Sequence, residues 1–567
     1  MDLIASNDAR TNPWSRVLLL TVTLVLGLML VAPLFRVFVR LTGLPLPLPL
    51  LWGVGFAGLA YAAVVARERA WILGGIVALV VFATFNADVP FMAAAHRYPK
   101  DVVARLLLVH FPLAYLCAVA VAKGWYRDSA SVPVYLLAGF VAATLLSALL
   151  GVRPRLVPAG FFVLYAVELV ALVWLVETAI ARDLVAPRQL AVVFLIAVIG
   201  HSLVGVAQFL NQDPFGMTYL GEGGMHNRVW LTLPLAGTFS IGPFVAGFTG
   251  ISFTLAVFCT AAVPLAIGMA FRARDWRRPA LVAGLVLLVV IIRFSASDSV
   301  RGAFLLTLLA YGGLLAVLAR RNASPLRPSR GTVVRAACLT LVLVSIVALP
   351  SMASDTSFSI PDGDSASAPT DPASHGQSPS TTTTETTTTE TTETTETTTE
   401  TATTTRDAPE TTGGEATKEV SIPLFSTKHL GVRFRQYAVA LDVFASHPVV
   451  GIGGMNFVHV AEEYGLPVPD GYAHPRLIHN TYLALLTETG LLGFALYAGA
   501  IAVVGYYGWR LLRSRSTGTL LVAGTLAGLL GIAAYSFWNP QLYNAKITFV
   551  FWILAATISG EYRKRRP

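Results

Sequence analysis

The sequence predicts an all-α polytopic membrane protein of about 12 to 14 transmembrane helices with one large external loop, each helix needing roughly 20 apolar residues to cross a bilayer core. Hydrophobic residues make up 55% of the 567 and charged residues only 13%, with a mean hydropathy of +0.65. A soluble core cannot hide that much apolar surface. The apolar residues are gathered into long runs, and the charged ones fall between them. One stretch, about 351 to 478, interrupts this pattern with polar chain.

Apolar runs place candidate spans near 17–39, 47–66, 70–87, 103–122, 132–150, 156–181, 189–210, 248–271, 279–294, 302–319, 335–350, 480–509, 519–537 and 545–559. The first begins near Val17 and is long enough to stay as a span rather than be removed as a leader. Cys117, Cys259 and Cys338 each lie inside an apolar run, far apart, and read as small core residues rather than a disulfide framework or a zinc site. The net charge of +9 does not indicate nucleic acid, because the arginines sit in short loops and not on one face of a soluble module.

Those loop charges set an orientation, since Lys and Arg are retained on the cytoplasmic side. With the amino terminus inside, 24 of the 41 Lys and Arg fall on the inner side and 17 on the outer, six of the latter in the long loop that the rule does not count. The expectation is a multi-pass protein of the cell membrane with both termini cytoplasmic and the long loop external.

Four regions follow. Residues 1–350 hold the first eleven spans, and 480–567 the carboxy-terminal ones. Between them, 351–425 is dominated by Ser, Thr, Asp, Pro and Gly with a Thr/Glu tract from Thr381 to Thr405. Such chain buries almost nothing apolar and is expected to be disordered, in the manner of an O-glycosylated stalk. Residues 426–479 turn amphipathic: Phe434, Tyr437, Ala438, Leu441 and Phe444 recur at helical spacing, as in a helix lying on the outer membrane face. A glycine-rich turn, Pro448-Val-Val-Gly451-Ile-Gly453-Gly454, then ends that helix. The 213–247 loop is too apolar to run free, as in Trp230-Leu-Thr-Leu-Pro-Leu-Ala-Gly237, and reads as a partly re-entrant or interfacial segment.

The chemistry is sought where the long loop returns to the bilayer, at His479-Asn480-Thr-Tyr482-Leu483, ahead of Glu488-Thr-Gly490-Leu-Leu-Gly493. An ionisable group at that boundary can meet both a lipid-linked and a water-soluble substrate. Arg228, Arg301 and Arg433 lie at the same predicted boundary in separate parts of the chain. Taken singly, each has an ordinary explanation: a capping histidine, an arginine snorkelling to water or, for Arg301, one paired with Asp298. Together they are harder to dismiss, for the glycine and serines beside Arg301 let a bulky anionic group approach the backbone. Guanidinium groups match phosphate oxygens bidentately without titrating and stabilise charge on the leaving group. A neutral imidazole, with an ordinary pKa of about 6.5, removes the proton of an attacking hydroxyl. On a continuous helix Glu488 falls half a turn round from His479 and roughly 13 Å along the axis, which makes it an interhelical contact rather than the imidazole's partner. His447 and His474 are further imidazoles of the same loop. The single Asp-x-Asp, Asp362-Gly-Asp364, lies in the polar tract and reads as compositional.

These blocks resemble the O-antigen ligase and O-antigen polymerase superfamily of integral membrane glycosyltransferases. The resemblance rests on Ser299-Val-Arg301-Gly302-Ala303, on Arg433-Phe-Arg-Gln-Tyr437 followed by His447-Pro448-Val-Val-Gly451-Ile-Gly453, on the His479 and Glu488 blocks, and on Ala236-Gly237-Thr238-Phe239, over about 190 to 500. It implies an inverting, metal-independent transfer, with no cofactor, from a polyprenyl diphosphate-linked glycan to a glycan, lipid or protein acceptor on the external face. It implies His479 as the catalytic base, Arg301, Arg433 and Arg228 as diphosphate ligands, and supporting places for Asn480, Tyr482 and Glu488. The chain departs from the family where Pro234 stands at the usual arginine position, with Arg228 nine residues before Gly237, and in its Thr-rich insert and two extra spans. The alternative is a lipid-linked oligosaccharide flippase or other polytopic transporter. Such a protein places charge near the bilayer midplane, whereas here Glu168 and Glu177 are among the few acidic groups within spans and the arginines gather at one interface.

Overall fold

A computed structural model describes residues 68–86, 88–90, 105–151, 156–211, 215, 221–222, 229–233, 237–241, 246–295, 297–320, 331, 427–467, 477–514, 518–541 and 544–566. Among these are thirteen helices: α1 (Glu68–Phe82), α2 (His110–Ala122), α3 (Val132–Leu150), α4 (Leu156–Ala181), α5 (Pro187–Asn211), α6 (Ser252–Ala270), α7 (Arg277–Phe294), α8 (Asp298–Arg320), α9 (Thr427–Ser446), α10 (Phe457–Val460), α11 (Thr481–Arg513), α12 (Thr519–Tyr535) and α13 (Ala545–Arg565). By length and composition, six can cross a membrane: α3, α4, α5, α6, α8 and α11. Segments within α1, α2 and α12 are shorter apolar helices. The protein is therefore an α-helical, multi-pass membrane protein. The spans expected at 17–39, 47–66 and 335–350, the polar tract at 351–425 and the third cysteine lie outside the described residues.

Helix α6 is the centre of the bundle. Every residue in it except Phe253 is buried, because apolar and small side chains surround the whole helix and leave no polar face to turn outward. It packs on α7 and α12. Gly524 and Gly528 of α12, four residues apart, bring the two backbones so close that a Cβ at either would meet Pro264 O or Ala261 O at 2.9 Å. Small residues at this spacing are how helices associate where lipid removes the hydrophobic drive. Around this pair, α11 packs on α3, α13 on α4 and α8 on α12. Leu145, Leu149, Val286 and Leu309 stay exposed on the outside, as a lipid-facing surface demands. Cys259 is buried and Cys117 half-buried, both as free thiols. Of the acidic groups inside spans, Glu168 lies 3.3 Å from His110 Nε2 and Glu177 accepts the Ser131 hydroxyl at 2.9 Å.

Two expected boundaries move. The run from 103 is not helical throughout: β1 (Asp88–Pro90) pairs antiparallel with β2 (Arg105–Leu107), and α2 starts only at His110. The His110 ring takes the Leu107 amide at 3.2 Å, which holds the turn before the helix. The run at 70–87 ends as a helix at Phe82. A second strand pair, β3 (Val229–Leu233) with β4 (Gly237–Ile241), falls in the 213–247 loop.

The long apolar run from 480 is not one continuous helix. Gly490 breaks α11 with φ 65° and ψ −173°, a conformation that essentially only glycine adopts. The break releases two carbonyls and two amides, and the 448–453 loop takes all four. Ile452 N donates to Thr487 O (3.2 Å) and Gly453 N to Glu488 O (3.0 Å), while Leu491 N donates to Pro448 O (2.8 Å) and Leu492 N to Val449 O (3.2 Å). The loop thus replaces the helix's own bonds at the point where they fail.

Helix α9 buries a side of its own besides the apolar face expected toward the membrane. Its buried side is Gln436, Val439, Ala440 and Val443, packed with Ile452, Phe457, Ile478 and Ala484 into a small core separate from that of the bundle. The face read as the apolar one is largely outward: Phe434, Ala438 and Leu441 are exposed and Tyr437 and Phe444 half-buried. The helix has two apolar sides, and the periodicity of the bulkier residues marked the outer one.

Candidate active site

His479 is the last residue but one before α11. Asn480 caps that helix: its backbone is extended (φ −159°, ψ 112°) and its Oδ1 accepts the Leu483 amide at 3.0 Å, as an N-cap asparagine should. The cap leaves the preceding imidazole off the helix, half-buried, facing α9. There His479 Nδ1 meets Gln436 Oε1 at 2.9 Å. With the carboxamide oxygen as acceptor Nδ1 is the donor, and in the neutral ring the lone pair is then on Nε2, the tautomer a general base requires. The backbone at His479 is fixed as well, for the Tyr437 hydroxyl meets His479 O at 2.7 Å and Phe537 O at 3.3 Å.

Arg433 stands one helical turn before Tyr437 on α9 and is half-buried. Burial pushes the Tyr437 phenol above its ordinary range, and the Arg433 charge beside it acts in the opposite direction. The same guanidinium acts electrostatically on Tyr535, at the end of α12. Arg433 and His479 therefore flank Tyr437. Tyr482 closes the far side: its hydroxyl donates to Ala533 O at 2.8 Å and its ring lies 4.6 Å from that of Phe537. Behind Thr481, Tyr482 and Gln541 is a cavity of about 20 Å³, sized for a water and not for a sugar.

Arg301 lies in the first turn of α8, half-buried, with its amide donating to Ser297 O at 3.1 Å. Its charge is felt by Arg293 in the last turn of α7. The helix start that carries it reaches the His479 segment by hydrogen bonds: Ser299 Oγ accepts from Asn539 Nδ2 (3.2 Å), and Asn539 O accepts from Thr481 Oγ1 (2.9 Å). Arg301 and His479 thus belong to segments that share the turn between α12 and α13.

Glu488 is nearly fully buried. Its carboxylate accepts the amides of Met455 at 2.8 Å and Phe457 at 3.4 Å. It therefore holds the glycine-rich loop at the start of α10. His447 closes α9, with its Nδ1 3.4 Å from Val443 O. Arg228 and His474 lie outside the described residues.

Gln436 is a residue of this site that the sequence motifs do not single out, although it stands in the Arg433-Phe-Arg-Gln-Tyr437 block. A signal was present: Gln436, Val439, Ala440 and Val443 fall at i, i+3, i+4 and i+7, the pattern of a buried helical stripe. An amide at the head of such a stripe must find a partner.

A comparison with known families matches residues 296–498 to O-Antigen ligase. No curated protein matches the chain. The matched segment contains Arg301, Arg433, Gln436, His479, Asn480, Tyr482 and Glu488, and leaves out Arg228, the 236–239 block and the turn after α12. The segment from 296 to 498, which carries the blocks around Arg301, Arg433 and His479, is thus similar to O-Antigen ligase.

Proposed function

We propose that the protein is a membrane glycosyltransferase that moves a glycan from a polyprenyl diphosphate carrier to an acceptor hydroxyl at the external face, as a ligase onto lipid or protein or as a polymerase of repeat units. The observation that carries this reading is the His479–Gln436 pair, which orients the imidazole through Nδ1 and, in the neutral ring, makes Nε2 the basic nitrogen. In the reading, Nε2 takes the proton of the acceptor hydroxyl as its oxygen attacks the anomeric carbon, and the bond to the diphosphate oxygen breaks from the opposite side with inversion. The diphosphate leaves as an anion held by guanidinium groups, so it requires no proton from the protein and no metal to neutralise it. Arg301 and Arg433 are the described candidates for that role, with Arg228 as a third. Asn480 fixes where the imidazole emerges, and Glu488 secures the loop beneath α9. The sidedness follows from the charge distribution, with both termini inside.

The test is purified protein with a polyprenyl diphosphate-linked glycan and acceptor. Release of the polyprenyl diphosphate together with acceptor glycosylation is expected, and an inverted anomeric centre in the product. Movement of intact carrier across a vesicle membrane without glycosidic bond formation would replace the reading with a flippase.

A further inference from the structure

The turn between α12 and α13, Ser536 to Asn544, lies outside the segment matched to the family. Yet it receives hydrogen bonds from the elements that carry the candidate groups. Thr481 N donates to Ser536 O at 2.9 Å, and the Tyr437 hydroxyl reaches Phe537 O at 3.3 Å. Thr481 Oγ1 uses both of its capacities here, donating to Asn539 O at 2.9 Å and accepting from Gln541 N at 2.7 Å. Asn539 then extends its side chain the other way and donates from Nδ2 to Ser299 Oγ at 3.2 Å. Ser299 Oγ in turn lies 3.1 Å from Ser297 Oγ. Pro540 follows directly and biases Asn539 toward extended backbone, which turns its carbonyl and its side chain to different neighbours.

Asn539 is thus one residue joined to two helix starts. Its carbonyl holds Thr481, two residues after His479, and its amide holds Ser299, two residues before Arg301. We infer that Asn539 is a positioning residue that sets the separation between the Arg301 turn and the His479 turn. The inference rests on the proposed function, in which the guanidinium holds the leaving diphosphate and the imidazole activates the acceptor. In-line displacement requires those two groups to be held at a fixed span, and a misplacement of about 1 Å can cost on the order of 10²-fold in rate. Asn539 touches neither reacting atom in this scheme. It acts through Ser299 and Thr481.

The experiment uses the full-length protein in lipid nanodiscs with a polyprenyl diphosphate-linked glycan as donor. Wild-type turnover, and its loss in His479→Ala, establish the underlying reading in the same assay. Against that background Asn539→Ala is expected to lower kcat roughly 10- to 100-fold with donor KM held within about twofold, the signature of lost alignment rather than lost binding. Ser299→Ala lowers kcat in the same direction, and the Ser299→Ala/Asn539→Ala double variant is no slower than Asn539→Ala alone, because both remove one link. Unchanged kcat in Asn539→Ala, a loss confined to donor KM, or effects that multiply in the double variant would each overturn the inference while leaving the proposed function standing. If Asn539→Ala is not recovered folded, Ser299→Ala and Thr481→Val each cut one end of the bridge, and the same division between kcat and KM decides.

Discussion

Gly451 and Gly490 meet backbone against backbone. A Cβ on Gly490 would stand 2.2 Å from Val449 O, and one on Gly451 would stand 2.4 Å from the Glu488 carbonyl carbon. Both have positive φ, 72° and 65°. The glycine turn after α9 and the break in α11 are one structure, in which each segment completes the hydrogen bonds of the other.

Gly490→Ala tests that crossing. The alanine meets a backbone conformation costing of order 1–3 kcal/mol and a carbonyl it cannot displace without moving the loop. Melting in detergent is expected to fall, with loss of activity at temperatures where the wild type is folded. Gly505→Ala, in the same helix with nothing within 4 Å of its added Cβ, is expected to melt as the wild type does. Equal melting of the two variants would show that the crossing is not required.

His479→Ala is expected to lower transfer by about 10²- to 10⁴-fold, the usual worth of a general base, with insertion and abundance intact. Gln436→Leu keeps the imidazole but removes the acceptor that sets its tautomer, and a smaller loss, about 10-fold, is expected. Turnover of the purified variants measures both. Wild-type rates in His479→Ala would remove this residue from the mechanism.

Arg301→Lys keeps the charge and loses the planar fork. One charge-assisted hydrogen bond is worth about 1.5–3 kcal/mol, so a fall in kcat/KM of roughly 10- to 100-fold is expected. Near-normal kinetics in the lysine variant would reduce Arg301 to an anchor at the membrane boundary.

Deletion of about Asp362 to Thr412 is expected to leave the transfer rate unchanged, because a Thr-, Ser- and Glu-rich tract of this composition has almost no apolar surface to bury. Loss of activity in a deletion protein of normal abundance would show that the tract recruits the acceptor.

The helical membrane architecture was legible in the residues because it depends on composition averaged over long windows. Satisfying every backbone group in lipid leaves helices as the solution for runs such as 132–150 or 187–211. His479, Asn480 and Arg301 stand out in the sequence for a related reason: they are polar residues at the edges of apolar runs. The buried side of α9 was less legible, since Phe434 and Leu441 outweigh Val439 and Ala440 in bulk although the smaller pair does the packing.

Composition and periodicity by themselves determined the fold class and most of the described helix positions. Only the tertiary structure decided that Gln436 faces His479, that Glu488 holds the loop through Met455 and Phe457, and that Asn539 bridges Ser299 and Thr481. The physical reason is range. Solvation is a property each residue carries along the chain, whereas a hydrogen bond between residues 43 or 240 positions apart depends on where Gly490 breaks a helix and how closely α6 and α12 pack.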